Sequence, residues 1–193
     1  MTDWAAWAGG YADPASSHAR RLPVVQKLIM RAVAEHPSDD LRVLSLCAGD
    51  GRDVLPVARE CGKRLHGRLV ELTPQLADTA RSYAEEHGLE FEVMCADAGR
   101  SEAYAADLVL LCGIFGNVAD RDVRRTVGAA AALCNVDGFV VWTRHRFAPD
   151  LTPSIREWFA EAGFEELAFE SPGPDDFAVG LHRRAEPLFT FTR

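Results

Sequence analysis

Along most of this chain, short apolar runs alternate with segments whose apolar residues recur at helical spacing. From His18 to His36 the residues Leu22, Val25, Leu28, Ile29 and Val33 share one helical face. Ser16 or Ser17 supplies the cap at its start. Pro37-Ser38-Asp39-Asp40 reads as a break. The pattern then predicts strands at Arg42 to Leu46, Arg68 to Leu72, Phe91 to Cys95, Ala106 to Leu111 and Gly138 to Thr143. It predicts helices at Asp53 to Cys61, Pro74 to His87 and Asp120 to Leu133. Pro74 fits a first helical turn, and Gly62 and Gly88 fit helix ends. The run Ala106 to Leu111 is nearly all apolar, as the buried centre of a parallel sheet requires.

The last quarter departs from this rhythm. A helix from Leu151 to Ala162 precedes strands at Gly163 to Glu170 and Phe177 to Arg183, with Ser171-Pro172-Gly173-Pro174 between them. Two strands joined by a turn and no helix must run antiparallel. The expected fold is α/β: a doubly wound, Rossmann-like, seven-stranded sheet with helices on both faces and a C-terminal antiparallel hairpin. Residues 1–40 form an N-terminal helical segment, and 41–193 form the α/β unit.

Composition narrows the field without deciding it. The chain has 193 residues and a formal net charge of −8, which argues against a nucleic-acid partner. No apolar run is long enough for a membrane helix, and Met1 to Gly10 does not read as a signal peptide. The five cysteines, Cys47, Cys61, Cys95, Cys112 and Cys134, form no Cys-x-x-Cys pair. Free thiols in the cytoplasm are the simplest reading, and no metal site is expected. A monomer or a homodimer fits equally well.

Four stations carry candidate chemistry. The first is Cys47-Ala48-Gly49-Asp50-Gly51, where a strand runs through a Gly-x-Gly turn towards a helix. Two glycines let the backbone approach a ligand, and the helix start offers free N–H groups. A dinucleotide site needs a third glycine where Val54 stands, so the pyrophosphate fingerprint is incomplete. An S-adenosylmethionine loop, or a tight turn with no ligand, remains open. The second station is Glu71-Leu72, with Glu71 lying 22 residues after Gly49, the spacing of a carboxylate that accepts from ribose hydroxyls. The third is Asp97-Ala98, placed to meet an adenine edge or to cap a turn. The fourth is Cys112-Gly113-Ile114-Phe115-Gly116-Asn117, an apolar loop suited to a crevice floor. There Phe115 would pack on a flat ring, and Asn117 would contact a substrate or cap the next helix.

In order and spacing these stations resemble the class I S-adenosylmethionine-dependent methyltransferases over Leu41 to Arg183. The resemblance implies that Cys47, Ala48, Gly49, Asp50, Gly51, Glu71, Leu72, Asp97, Ala98, Cys112 and Gly113 hold S-adenosyl-L-methionine, leaving S-adenosyl-L-homocysteine as product. The family usually has an acidic residue before its first glycine pair, where this chain has Cys47. The contact to the methionine ammonium would then come from the Cys112 or Ala48 carbonyl. Trp4, Trp7, Tyr11 and Asp13-Pro14, ahead of an Arg-rich helix, resemble a small bacterial subgroup of largely unassigned substrate. In such enzymes an N-terminal segment closes over the site as a lid.

For the reaction, Thr143-Arg144-His145-Arg146 follows the fifth strand on the same edge. His145 is the candidate general base, and Arg144 or Arg146 the candidate clamp for an anionic acceptor. Tyr11, Phe115 and Asn117 complete the expected acceptor side. His18 and Asp175-Asp176-Phe177 are weaker candidates. No Asn/Asp-Pro-Pro-Tyr/Phe motif and no Pro-Cys motif is present, so the acceptor class expected is a small molecule methylated on oxygen or nitrogen. Two other functions fit the same fold: a non-catalytic S-adenosylmethionine-binding or scaffold protein, and an NAD(P)-binding oxidoreductase with a degenerate glycine motif.

Overall fold

A computed structural model describes residues 9–100, 104–174 and 176–185. After a 3-10 turn at Gly9–Ala12, the elements are α1 (Ser17–Glu35), β1 (Asp40–Leu46), α2 (Leu55–Glu60), β2 (Arg64–Glu71), α3 (Pro74–Glu86) and β3 (Phe91–Cys95). They continue with β4 (Ala106–Leu111), α4 (Asp120–Leu133), β5 (Cys134–His145), α5 (Thr152–Glu161), β6 (Phe164–Glu170) and β7 (Phe177–Arg184). The seven strands form one sheet in the order β3-β2-β1-β4-β5-β7-β6. The first five are parallel, while β7 runs antiparallel to both β5 and β6. The expected terminal hairpin is therefore present, with its second strand inserted beside β5.

Each face of the sheet has its own core. Helices α1, α2 and α3 bring Val25, Leu28, Ile29, Leu55 and Ala80 against Val43, Leu69, Leu110 and Val141. On the other face α4 and α5 bring Val123, Val127, Ile155 and Phe159 against Leu44, Val109, Val140 and Trp142. Alternate strand residues thus feed opposite cores. The five buried residues of α1, four of them large aliphatics, each contribute roughly 1.5–3 kcal/mol when large, which explains why a helix interrupted by Pro23 stays docked. Ser16 caps α1, its hydroxyl accepting from Ala19 N at 3.1 Å.

Several boundaries differ from the sequence expectation: β1 starts two residues earlier, and β5 runs from Cys134 to His145 rather than Gly138 to Thr143. Strand β2 begins at Arg64, not Arg68, because Gly67 continues it: at φ 149°, a Cβ there would lie 2.0 Å from the Val43 carbonyl oxygen. The charged residues Arg64 and His66 hid that start, since they pair outward with Asp40. Helix α2 begins at Leu55 rather than Asp53, which leaves Asp53 in the turn before it.

Helix α1 and the last two strands meet on one face of the sheet. Arg20 of α1 pairs with Asp176 at 2.5 Å, Lys27 with Glu170 at 2.8 Å, and Arg31 donates to the Leu167 carbonyl at 3.0 Å. These contacts fix α1 over the β6–β7 hairpin and aim its N-terminal turn at the carboxyl ends of β1 and β4. Between those two strands the order reverses, which is where an open α/β sheet leaves a crevice.

Candidate active site

The glycine loop is tied down from three sides. Ala48 N donates to the Val70 carbonyl at 3.0 Å, continuing the β1–β2 ladder past its end. Gly49 N donates to Glu71 Oε2 at 2.8 Å, and Thr73 N donates to Glu71 Oε1 at 2.8 Å. From α1, Gln26 Nε2 donates to the Arg52 carbonyl at 2.9 Å. The backbone turns through left-handed conformations at Cys47, Gly49 and Gly51, with φ of 53°, 58° and 76°. A Cβ built at Gly49 would meet nothing within 4 Å, so the loop faces open space there. At Gly51 a Cβ would come within 2.5 Å of Leu55, so this second glycine serves close packing.

That open space is a crevice holding about 920 Å³, its mouth included. Cys47, Ala48, Gly49, Asp50, Glu71, Leu72, Cys112 and Gly113 all line it, so the structure brings most of the first, second and fourth stations together. Tyr11 and Asn117 line it too. Glu71 is buried, and its two oxygens already hold two backbone N–H groups, leaving further acceptor capacity on each.

Charge within the crevice is concentrated beside Cys112. Asp53 lines the wall there, and burial raises its carboxyl above the usual range while the Arg21 guanidinium opposes the rise. The Cys112 thiol donates to the Val141 carbonyl at 3.9 Å, and burial, then the charge of Asp53, pushes it well above its ordinary value. Arg21 Nη2 donates to the Tyr11 hydroxyl at 3.0 Å, and Arg52 lies 4.1 Å over the Tyr11 ring. Burial also raises the Tyr11 phenol, so it is not a proton acceptor near neutrality. Asp50 is occupied by Arg52, whose Nε donates to it at 2.7 Å. Cys47 is pushed up to about 11 by burial and by Glu71, which leaves its thiol protonated.

Several expected site residues stand elsewhere. Phe115 does not face the crevice: it is fully buried, 6.0 Å from Trp142, because the apolar run of β4 carries on into the core. Arg144 is no acceptor clamp, since it donates to the Phe115 carbonyl and faces Asp120. Arg146 pairs with Asp150 at 2.9 Å and Ser171 at 3.3 Å, turned towards the hairpin. His145 stacks on Phe147 at 5.3 Å and is not among the crevice-lining residues. Burial, then Arg144, lowers its pKa. Asp97 accepts from Gly99 N at 2.9 Å, and neither Asp97 nor Ala98 lines the crevice. Trp4, Trp7 and Asp175 lie outside the described residues. No group of three potential metal ligands occurs among the described residues.

Sequence reasoning placed Ile114 in the crevice-floor loop, but it missed Arg21 and Leu76 and gave Arg52 and Asp53 no contact role, although all four line the crevice. Asp53 carried a usable signal: a carboxylate directly after the glycine loop and directly before the buried pair Val54-Leu55 needs a partner. Arg21 carried none, because a helix with adjacent arginines gives no sign of which one turns inward.

A doubly wound sheet with a glycine loop, a buried carboxylate and a crevice at the strand reversal has the layout of an α/β protein that takes its ligand at the switch point. The methyltransferase domain family matches residues 43–138. That match and the fold support a class I S-adenosylmethionine-dependent methyltransferase. Among solved structures it is similar to magnesium protoporphyrin IX methyltransferase from Synechocystis PCC 6803 with bound S-adenosylmethionine, at 16% identity and TM-score 0.68, over 86% of this chain and 80% of that one. It is also similar to the N-methyltransferase NodS of Bradyrhizobium japonicum WM9, at 13% identity and TM-score 0.65, over 88% and 97%. An O-methyltransferase family protein from Burkholderia thailandensis matches at 23% identity and TM-score 0.62, over 84% and 57%. No curated protein matches the sequence. At these identities the structural likeness concerns the fold. No helix among the described residues is long and apolar enough to cross a membrane.

Proposed function

We propose that this protein transfers the methyl group of S-adenosylmethionine to a small-molecule oxygen or nitrogen acceptor by in-line displacement. The observation that carries the reading is Glu71, buried at the crevice edge with both oxygens fixed by Gly49 and Thr73. A carboxylate held so rigidly is preorganised to accept from two vicinal ribose hydroxyls. When bound, the cofactor supplies a methyl carbon already activated by the sulfonium charge.

The chain's own residues do the rest. Leu72 and Leu76 offer an apolar wall for a flat base next to Glu71. Towards β4, Arg21 and Asp53 present opposite charges suited to the carboxylate and ammonium of an amino-acid end. In this reading Asp53 takes the part of the acidic residue missing from the glycine loop. Ile114 and Val118 supply an apolar side for the acceptor, and alignment of the reactants is the main catalytic effect. Residues 1–40 act as a cover, since Tyr11 already lines the crevice and is tied to Arg21. The reading assigns the enzyme to the cytoplasm, where its thiols stay reduced.

Titration calorimetry tests it. Purified protein is expected to bind S-adenosylhomocysteine in the micromolar range and NAD not at all. Glu71→Ala should weaken that binding by about 100-fold, since it removes two charge-assisted hydrogen bonds. Wild-type affinity in the variant refutes the ribose assignment. Binding of NAD alone refutes the methyltransferase reading.

A further inference from the structure

The last three residues of β5 all engage the loop that follows β4. Thr143 Oγ1 accepts from Gly113 N at 2.9 Å. Arg144 Nη1 donates to the Phe115 carbonyl, and its Nη2 faces Asp120 Oδ1 at 3.5 Å, at the start of α4. Gly116 lies under His145: a Cβ there would sit 3.1 Å from the imidazole Cδ2. Neighbouring strand residues point to opposite faces, so Thr143 and His145 hold the loop from one side and Arg144 from the other. The other side of this loop forms a wall of the crevice through Cys112, Gly113, Ile114, Asn117 and Val118.

Arg144 is only 7% exposed, and its Nε is buried with no hydrogen-bond partner among the described residues. Burying a guanidinium with incomplete pairing is costly, and an apolar side chain would fill the same space without that cost. What the guanidinium adds is a planar fork that reaches a carbonyl and a carboxylate at once. Those two partners belong to the middle of the segment that closes the crevice and to the helix start that follows it. A wall displaced by an ångström changes ligand fit, so its restraint bears on affinity.

We propose that Arg144 is a positioning residue which, together with Thr143, clasps the loop after β4 and so sets the affinity of the crevice without touching the ligand. This role replaces the acceptor clamp expected from sequence. The proposal rests on the methyltransferase reading only in its choice of probe, S-adenosylhomocysteine.

The test compares Arg144→Lys, Thr143→Val and Thr143→Ser with the wild type by calorimetry and by amide hydrogen exchange. Lysine cannot bridge two acceptors as the fork does, so Arg144→Lys should weaken S-adenosylhomocysteine binding about tenfold. Thr143→Val keeps the shape but loses the acceptor for Gly113 N, and should cost about fivefold. Thr143→Ser keeps the hydroxyl and should stay within about twofold of wild type. In the free protein, exchange should quicken across residues 113–117 in the first two variants, with β1, β4 and β5 unchanged. Unaltered affinity and exchange in Arg144→Lys and Thr143→Val overturn the proposal. So does exchange that quickens throughout the sheet, which makes Arg144 a general structural residue. If the wild type fails to bind the probe, the cofactor reading falls, and the exchange comparison alone decides the clasp.

Discussion

His182 should make the stability of this protein fall in acid, by an amount that the structure sets. It sits on β7, 1% exposed, stacked 4.5 Å from Phe159 and 6.1 Å from Trp142. Neither ring nitrogen has a hydrogen-bond partner among the described residues. Burial lowers its pKa from 6.5 to about 4; Glu166 acts against that shift and Arg156 adds to it. The native ring is therefore neutral while the unfolded ring titrates at 6.5, so the unfolded state binds the extra proton. Stability is full above 6.5, falls as pH drops from 6.5, and the loss levels off below about 4. Linkage puts the loss at roughly 1–2 kcal/mol by pH 5.5 and roughly 2–3 kcal/mol by pH 4.5. His182→Phe keeps a flat ring in the aromatic layer and removes the titration. Urea denaturation of both proteins at pH 7.5, 5.5 and 4.5 isolates the effect, because other titrating groups cancel in the difference. The variant should gain on the wild type by those amounts as pH falls. A difference flat to within about 0.5 kcal/mol across that range refutes the argument from burial.

Other perturbations test the site and the fold separately. Arg21→Met and Asp53→Asn should each weaken S-adenosylhomocysteine binding roughly tenfold in calorimetry, as each removes one charge facing the amino-acid end. Gly51→Ala should lower stability by about 2 kcal/mol in urea titration, since it places a Cβ 2.5 Å from Leu55 at φ 76°. Arg146→Ala should reduce stability by no more than about 1 kcal/mol and leave ligand affinity unchanged, because that guanidinium pairs with Asp150 and Ser171 away from the crevice.

The order of elements was legible in the sequence because each strand-forming run is bounded by its own break and each helix has one apolar face. The terminal hairpin was legible for the same reason, through Ser171-Pro172-Gly173-Pro174. Boundaries were lost where side chains point outward, as at Arg64 and His66, because a paired surface charge hides a strand's start. Within the site, spacing alone placed Gly49 and Glu71, which line the crevice, whereas Gly51 packs against Leu55 instead. Phe115, Arg144 and Arg146 were misjudged because spacing locates a residue on a strand edge but says nothing about its side-chain partner. Arg144 in particular satisfies a carbonyl three-dimensionally adjacent yet 29 residues away. Arg21 could be found only once α1 had been packed against β7.

That packing also sets when the crevice can exist during synthesis. Helix α1 precedes the sheet in the chain, but the surface that receives it includes the β6–β7 hairpin, through Lys27–Glu170 at the end of β6 and Arg20–Asp176 just before β7. A growing chain emerging at about 5–20 residues per second can complete β1 to β4 well before that surface is available. Until the hairpin closes, α1 has no complete seat, and Arg21 and Tyr11 are not yet aimed at the glycine loop. Contacts between the two ends of the chain are the most distant kind in sequence, so their formation should be the late, slow step of folding. A chain released before β6 and β7 would carry the glycine loop and Glu71 with α1 unseated, so Arg21 would not be presented to them. Ligand-binding competence is thus acquired only once that hairpin has been made, and nascent chains lacking it are kept from competing for the ligand.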